Sequence, residues 1–432
     1  METLRFLFTT SFYPPYHLGG DANHVKYLAS ELASRGHEVH VLHSLDAYRV
    51  KRRGNPKPLH TDGVITHPIE THLSFSAYAA YLVGGSPPVE RRFSALVNEI
   101  NPDVVHHHNI SLLGYNILAK RSNYLNLYTA HDYWLICPQN NLLHRGTRIC
   151  QGENCMLCPI WFRRPPQLWR YTNAFKRAVQ SIDILVAVSD YQKKRISKSL
   201  GIESVALPNF VPKPPGKIGT SAFSNFFLFG GLLEGYRGIL DLIEVYVKMQ
   251  EETKANLVIM GNGSLKEKLR AIVKANELEG RVSLLGWVSD DFRYRLLRDA
   301  NALIISSIWP ETSSLIAMES MSVGTPVIAS NQGALPEIVG KLDNRLIYNS
   351  PDELRQIVLA FDKRAYSRKS TKTVYEKFFS PAVYLERYLT LIESERDRRT
   401  VCMGIPTGQK WPLRSPIGLK EGRGWRVSTK NR

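Results

Sequence analysis

Two glutamates spaced eight residues apart are the side chains of this sequence best placed to do chemistry. Glu311 and Glu319 lie in a segment whose apolar residues recur at helical spacing, which predicts a helix over residues 313–323. Glu319 then falls within the helix and Glu311 in the loop before it. A predicted strand over 326–329 follows, and open α/β sheets bind ligands at the carboxyl ends of strands. The pair therefore indicates a ligand-binding cleft, and two surface glutamates on an amphipathic helix are the alternative.

Glycine-rich turns follow three predicted strands. Gly19 and Gly20 precede a helix, the segment 261–263 (Gly-Asn-Gly) ends a strand, and the segment 230–238 carries Arg237 among four glycines. Adjacent glycines let the backbone approach a ligand closely, and a helix N-terminus offers unpaired N–H groups to an anion. These turns are consistent with an anion site, and a solvated loop arginine is the alternative for Arg237.

Histidines follow two strands of the first half. His106, His107, His108 and Asn109 leave one predicted strand, and His131 ends the next. Consecutive strand residues point to opposite faces, so the three adjacent histidines cannot converge on one metal ion. We expect His106, His108 and Asn109 to line a cleft, and histidines buried in the core are the alternative.

Four of the five cysteines fall within 22 residues. Cys137, Cys150, Cys155 and Cys158 form the pattern C-x12-C-x4-C-x2-C, and only Cys402 lies outside it. A cytosolic cluster that contains C-x2-C favours a metal over a disulfide, and four thiolates suffice for a structural zinc ion. The alternatives are free thiols and a disulfide or redox pair.

The remaining sequence predicts an α/β protein of two Rossmann-like domains. At 432 residues the chain is too long for one ordinary core. Short apolar runs alternate with amphipathic helices, which is typical of βαβ units. The predicted organisation is a first domain over 1–206 with a Cys-rich insert at 137–160, a proline-rich linker over 207–225, a second domain over 226–375, a C-terminal helix over 376–399 and a basic, disordered tail over 400–432.

Charge and aromatic content leave several partners open. The net charge is +17, and the last 33 residues hold seven Lys or Arg and one acidic residue. Segments 72–93 and 161–170 mix aromatic and basic residues, which suits a membrane interface or single-stranded nucleic acid. A core helix and a merely solvated basic surface are the alternatives. No apolar run approaches 18 residues, and free thiols without an export signal predict a cytoplasmic protein.

The chain resembles the retaining glycosyltransferases of family 4, most specifically over 302–339, where Glu311 and Glu319 match the E-x7-E motif. The H-D-Y-W-x-x-C-P segment beginning at His131 resembles a subset of that family with a Cys-rich insert. The resemblance implies a GT-B fold with the active site in the interdomain cleft. It also implies that Glu311 holds the sugar hydroxyls, Glu319 the ribose and Arg237 the diphosphate, while His131 faces the sugar. The donor-binding set is Gly19, Gly20, Arg237, Gly261, Asn262, Gly263, Ser313, Ser314, Leu315 and Glu319.

The resemblance further implies transfer of a sugar from a UDP- or GDP-linked donor to a glycan or lipid-linked acceptor in cell-envelope glycan synthesis. The family's usual arginine before Arg237 is absent, since Gly231 or Leu232 stands there. No Asp-x-Asp pair is present to hold a metal, so we expect catalysis without a metal cofactor. We also expect peripheral contact with an anionic inner membrane face and no nucleic-acid partner. The alternative is a catalytically lapsed GT-B scaffold that binds a partner or nucleic acid.

Overall fold

The computed structural model of the chain describes residues 2–17, 19–52, 54, 63–119, 123–146, 148–152 and 154–403, with the backbone alone for 400–403. The tail that we predict over 400–432 lies outside the described residues from 404 onward. No helix in the described ranges is both long and apolar enough to cross a membrane.

The first half is built on a seven-stranded parallel sheet with the strand order β3-β2-β1-β4-β5-β8-β9. Two further short strands, β6 and β7, pair as an antiparallel hairpin. The strands are β1 (Arg5–Thr10), β2 (Glu38–Ser44), β3 (Ile65–Ile69), β4 (Val104–His107), β5 (Leu125–Ala130), β6 (Leu143–His144), β7 (Arg148–Ile149), β8 (Ile184–Ala187) and β9 (Val205–Ala206).

Helices connect these strands and cover the sheet. The first helix packs an apolar face on the sheet, where Val25, Leu28, Ala29 and Leu32 are buried. The chain leaves that helix through Gly36, whose positive φ of 87° suits a residue without a side chain. The helices are α1 (Gly20–Ser34), α2 (Leu45–Lys51), α3 (Phe75–Val83), α4 (Pro87–Ile100), α5 (Cys158–Trp161), α6 (Asn173–Gln180) and α7 (Asp190–Leu200).

The second half repeats the arrangement with a six-stranded parallel sheet in the order β12-β11-β10-β13-β14-β15. The four inner strands of this sheet are mostly apolar and buried, as expected where helices cover both faces of a parallel sheet. The elements are β10 (Phe226–Gly230), α8 (Ile239–Met249), β11 (Asn256–Met260), α9 (Lys266–Ala275), β12 (Val282–Gly286), α10 (Asp290–Asp299), β13 (Leu303–Ile305), α11 (Leu315–Ser322), β14 (Val327–Ser330), α12 (Leu335–Val339), β15 (Ile347–Tyr348), α13 (Pro351–Leu359), α14 (Arg368–Phe378) and α15 (Pro381–Met403).

The last helix returns to the first half of the chain. Tyr384, Leu385 and Tyr388 of α15 are buried in the same apolar cluster as Phe6 and Phe8 of β1. The Tyr388 hydroxyl lies 2.8 Å from Nδ1 of His106. The two halves are thus tied by packing as well as by the connecting segment, and the predicted α/β fold of two Rossmann-like units is confirmed.

Each sheet reverses its strand order at one point, which is where doubly wound sheets bind ligands. In the first half β1 lies between β2 and β4, and in the second β10 lies between β11 and β13. The Gly19–Gly20 turn follows β1 and the segment that holds His108 follows β4. Arg237 follows β10, and Glu311 follows β13. The fold therefore gathers the predicted site residues at two switch points.

Candidate active site

The glycines of the second half allow its loops to pack closely on one another. A Cβ on Gly238 would lie 1.7 Å from the carbonyl oxygen of Ser306, and one on Gly261 1.7 Å from that of Gly231. A Cβ on Gly263 would come within 2.4 Å of the Leu233 carbonyl oxygen. Gly261 and Gly263 thus have a structural reason to be glycine, and their predicted contact with a ligand stays a prediction. Asn262, between them, is exposed.

Glu311 is held by an arginine from the neighbouring loop. It is 2% exposed, and its Oε1 accepts hydrogen bonds from Nη1 of Arg237 and, at 2.6 Å, from Oγ of Ser307. The guanidinium of Arg237 also lies 5.4 Å from the ring centroid of Trp309. Arg237 is therefore a partner of Glu311 and not the solvated loop residue of the alternative reading.

Glu319 has an arginine partner that the sequence did not suggest. It sits within α11, as predicted, and is 6% exposed. Nη2 of Arg293, on α10, donates to its Oε1 at 3.2 Å. Burial raises the pKa of Glu319 to about 7, while the positive charge of Arg293 opposes the rise. Arg237, Arg293, Glu311 and Glu319 together form what we call the charged wall.

Hydrogen-bond donors without protein partners accompany the charged wall. Among the described residues, Nε of Arg237, Nε1 of Trp309 and Oγ of Ser313 are buried and make no hydrogen bond. Ser314 is the N-cap of α11 but its side chain makes no capping bond. Buried donors in native proteins nearly always have acceptors, so these groups are suited to a ligand rich in oxygen atoms.

The Gly19–Gly20 turn lies against the charged wall. A Cβ on Gly20 would come within 3.2 Å of Cδ1 of Leu315, the first residue of α11. The side-chain amide of Asn109 donates to Asp21 at 2.8 Å and so ties the turn to the end of β4. The structure thus brings Gly19, Gly20, Asn109 and Leu315 together, as the predicted cleft requires.

Four histidines of the first half stack beside this turn, and we call His24, His106, His108 and His131 the histidine stack. The ring centroids of His106 and His108 are 3.9 Å apart, and those of His24 and His131 are 5.2 Å apart. Nδ1 of His108 lies 3.0 Å from Nε2 of His131. Burial lowers the pKa of His131 to about 4 and that of the other three well below the usual value. The stack is therefore neutral at pH 7.

The prediction that His106 and His108 line the cleft is wrong. Both are completely buried, and His106 is bound to Tyr388 and, at 2.8 Å, to Thr129. The packing of α15 on the first sheet covers His106, which the local pattern did not reveal. His107 points to the other face, with Nδ1 2.7 Å from Oγ1 of Thr9, as strand alternation predicted. His131 and Asn109 remain partly exposed.

Three side chains join the two halves at the site. Oγ1 of Thr312 donates to the carbonyl oxygen of His131 at 2.7 Å, and the hydroxyl of Tyr133 donates to that of Pro310 at 2.9 Å. The carboxylate of Glu337, on α12, accepts the backbone N–H groups of Asp190 at 2.8 Å and Tyr191 at 2.6 Å. Glu337 thereby caps α7 from the opposite half. These bonds hold His131 beside the loop that carries Glu311.

The Cys-rich insert begins directly after this junction. Cys137 and Cys150 are buried, and Cys155 and Cys158 are partly exposed. The backbone N–H of Gly152 donates to Sγ of Cys150 at 3.3 Å. Among the described residues, no group of three or more His, Cys, Asp or Glu is arranged to hold a metal ion. The structure gives no support for zinc, which stays a prediction.

Sequence reasoning missed Arg293 and Glu337. Arg293 lies in the first turn of α10, where it also reads as a helix-surface residue paired with Asp290 three positions earlier. Glu337 lies in a Gly-x-x-Pro-Glu segment, and its partner is a helix end 147 residues away. The only usable signal was that each follows a strand or turn at the carboxyl edge of the second sheet.

Comparison with known families divides the chain at the same place as the fold. Residues 18–213 match the model described as Glycosyltransferase Family 4, and residues 215–372 match Glycosyl transferases group 1. An uncharacterized glycosyltransferase of Methanocaldococcus jannaschii is 24% identical over 401 residues, which cover 87% of this chain and 94% of that protein. An MMP alpha-(1->4)-mannosyltransferase of Mycolicibacterium hassiacum is 25% identical over 364 residues, with 75% and 80% covered.

Solved structures share the fold over nearly the whole chain. Sucrose-phosphate synthase of Thermosynechococcus elongatus superposes with a TM-score of 0.70 at 16% identity, covering 91% of this chain and 99% of that one. HepE of Anabaena, solved with UDP and glucose, gives a TM-score of 0.61 at 16% identity, with 90% and 100% covered. With one glycosyltransferase family model matching each half, the chain is a glycosyltransferase of GT-B fold.

Proposed function

We propose that the protein is a retaining glycosyltransferase that moves a sugar from a UDP- or GDP-linked donor to a glycan or lipid-linked acceptor in cell-envelope glycan synthesis. The observation that carries the proposal is the charged wall, in which each glutamate of the E-x7-E pattern is buried against an arginine. The mannosyltransferase relative is consistent with a sugar-nucleotide donor. We place the enzyme in the cytoplasm, in peripheral contact with the inner membrane face.

The charged wall suits the chemistry of a departing diphosphate. Cleavage of the glycosidic bond leaves negative charge on the diphosphate, which cationic donors and a helix N-terminus stabilise. Arg237 and the uncapped start of α11 supply such groups, and the free Oγ of Ser313 adds a donor. Arg293, the partner of Glu319, is the second guanidinium of the charged wall and would offset the charge of the missing family arginine. The acceptor hydroxyl would lose its proton to the leaving phosphate.

The glutamates have separate roles in this proposal. Both contacts to Glu311 use Oε1, so Oε2 is the oxygen that would accept a hydrogen bond from a sugar hydroxyl. Glu319, one turn into α11, would accept the ribose hydroxyls. His131, in the opposite wall, would face the sugar through its ring or backbone. A neutral imidazole can donate or accept there without opposing the positive charge that develops at the anomeric carbon.

The test is product analysis with the full-length protein. UDP- and GDP-linked sugars are incubated with glycan and lipid acceptors, and nucleotide release and the anomeric configuration of the product are measured. The proposal expects one donor to be used with retention, in the presence of a chelator as well as without it. It is contradicted if no donor releases nucleotide above the level of a Glu311→Gln variant, or if the product is inverted.

The predicted zinc is tested separately by metal content. Elemental analysis of the full chain is expected to give about one zinc ion per molecule, with loss in a Cys155→Ser, Cys158→Ser variant and retention in Cys402→Ser. Zinc-free protein in which the four cysteines of the cluster react as thiols would contradict the zinc prediction. Neither result changes the donor chemistry, because Cys137 to Cys158 lie outside the charged wall.

A further inference from the structure

Large apolar side chains are exposed in two neighbouring segments of the first half. Of the 15 large apolar residues that are exposed among the described residues, 11 lie within 73–83 and 156–171. Leu73 is 80% exposed and Trp161 60%. The others are Phe75, Tyr78, Leu82, Val83, Met156, Leu157, Ile160, Leu168 and Tyr171. A clustered apolar surface of this kind marks an interaction site, whereas scattered exposed residues do not.

Helix α3 has small residues on its buried face and large apolar residues on its exposed face, the reverse of a core helix. Its buried residues are Ser76, Ala77 and Ala80. Phe75, Tyr78 and Leu82, at spacings of three and four, form its outward face. A helix whose small residues face the protein and whose large apolar residues face outward gains its apolar burial from something other than its own fold.

The two segments are held together as one surface. Nε1 of Trp169 donates to the carbonyl oxygen of Tyr81 at 3.0 Å, and the hydroxyl of Tyr81 donates to that of Pro165 at 3.3 Å. Beside α3, residues 71–78 line a surface hollow of about 430 Å³. Helix α3 and the segment 156–171 therefore present their apolar groups from connected parts of the same domain.

The charge along the second of these segments and its flanks is mainly positive. Residues 133–182 contain seven Lys or Arg and one acidic residue, Glu153. Arg163 and Arg164 are exposed, and the guanidinium of Arg145 lies 3.7 Å from the ring centroid of Trp161. Partial burial and, to a smaller extent, the positive charge of nearby Arg164 lower the pKa of Lys51. Like charges gathered around apolar groups favour an anionic partner.

We propose that this apolar–basic face (residues 73–83 and 156–171 with Arg145, Arg163 and Arg164) seats the protein on an anionic lipid bilayer. Exposed aromatic and aliphatic groups enter the acyl boundary while arginines remain among the headgroups. The face belongs to the same half as His131, and the insert that carries part of it starts six residues after that histidine. The proposal rests on the proposed function in that it names the surface that makes the peripheral membrane contact proposed there.

The test uses the full-length protein and vesicles without donor or acceptor, so its outcome does not depend on the proposed glycosyl transfer. Co-sedimentation is measured with vesicles of phosphatidylcholine alone and with phosphatidylglycerol added. The wild type is expected to bind the anionic vesicles. Phe75→Ser with Leu82→Ser, and Arg163→Glu with Arg164→Glu, are each expected to weaken this binding about tenfold or more.

Matched variants separate the face from net charge and general hydrophobicity. Lys268→Glu with Lys274→Glu makes the same charge change on α9, and Ile65→Ser with Val205→Ser removes exposed aliphatic groups from strands of the first half. Both control variants should bind anionic vesicles as the wild type does. The basic tail is present in every variant, so it does not account for a difference between them. Melting temperatures confirm that each variant is folded.

Three results would overturn the proposal. The first is no preference for anionic vesicles, or equal binding by the face variants and their controls. The second is self-association that the face variants abolish without any vesicle binding, which would make the face an interface between copies of the chain. The third is salt-dependent oligonucleotide binding that the face variants abolish while vesicle binding is absent.

Discussion

The two sides of the site treat charge in opposite ways. The charged wall buries two carboxylates and two guanidinium groups as pairs, with Glu311 on Arg237 and Glu319 on Arg293. The histidine stack opposite buries four imidazoles against one another, and burial lowers the pKa of each. One side pairs each carboxylate with a guanidinium, and the other remains neutral.

The difference shows how the site divides its work between the two halves. Burying a charge is expensive unless it is paired, so the charged wall is maintained for a charged ligand. A neutral His131, the partly exposed member of the stack, can hold sugar hydroxyls without attracting the diphosphate away from its arginines. We therefore expect damage to the charged wall to act on the donor and damage to the histidine stack to act on turnover.

The largest effect is expected from Glu311→Gln. The substitution keeps the shape of the side chain but removes the charge that pairs with Arg237, so the sugar is no longer positioned. We expect kcat/KM to fall by about 10²–10³-fold, the usual effect of removing one positioned transition-state contact. Glu252→Gln is the matched control, because Glu252 forms an exposed pair with Arg355 in the same half. Equal activity of the two variants would show that Glu311 does not position the sugar.

The next effect concerns pH and follows from the raised pKa of Glu319. Donor affinity should fall by up to about tenfold for each pH unit below 7, because the protonated carboxyl loses its charge as an acceptor. The folded protein binds this proton more tightly than the unfolded chain, so the group's contribution to folding stability falls as pH rises from about 4 to 7. Nucleotide titration and thermal unfolding across this range measure both.

Glu319→Gln is the control for that dependence. The variant should bind donor weakly at every pH and should lose the fall of stability between the two pKa values. If the wild-type donor affinity were constant from pH 5 to 8, the carboxylate of Glu319 would not contact the ligand.

A smaller effect is expected from His108→Phe. The ring of His108 holds His131 through a hydrogen bond of 3.0 Å, so its loss should free the His131 ring and lower kcat about tenfold. Donor KM should stay unchanged, since the charged wall is intact. His107→Phe, on the opposite face of β4, is the matched control, and His108→Gln should recover part of kcat. A rise in donor KM with unchanged kcat would contradict this division.

The smallest effect is expected from Glu337→Gln. The amide can still accept a hydrogen bond from α7, but its charge no longer complements the helix N-terminus, an interaction worth about 0.3–1 kcal/mol. We expect kcat to fall about two- to fivefold, with nucleotide affinity unchanged. Small-angle scattering should show a more open average arrangement of the two halves. A variant as compact and active as the wild type would show that Glu337 does not help to hold the two halves together.

Local patterns in the sequence sufficed for the fold and for part of the charged wall. The helix around Glu319 and the loop with Glu311 are encoded within one short segment, and the glycine turns mark strand ends. Arg293 and Glu337 escaped because their partners are set by how helices and halves pack. His106 was misplaced for the same reason, since α15 covers it from 282 residues away. For helix α3 the sequence left a membrane-contacting segment and a core helix both open, because periodicity does not tell which face is inside.

Calorimetric titration of UDP and GDP into the wild type, Arg293→Met and His131→Ala tests most directly whether the charged wall, and not the histidine stack, binds the nucleotide. Arg355→Met serves as the control for loss of an arginine elsewhere in the same half. We expect the wild type to bind one of the two nucleotides. Arg293→Met should weaken the affinity for that nucleotide about tenfold, and His131→Ala should keep it within about twofold of the wild-type value. Equal weakening in both variants, or no nucleotide binding by the wild type, would contradict this expectation.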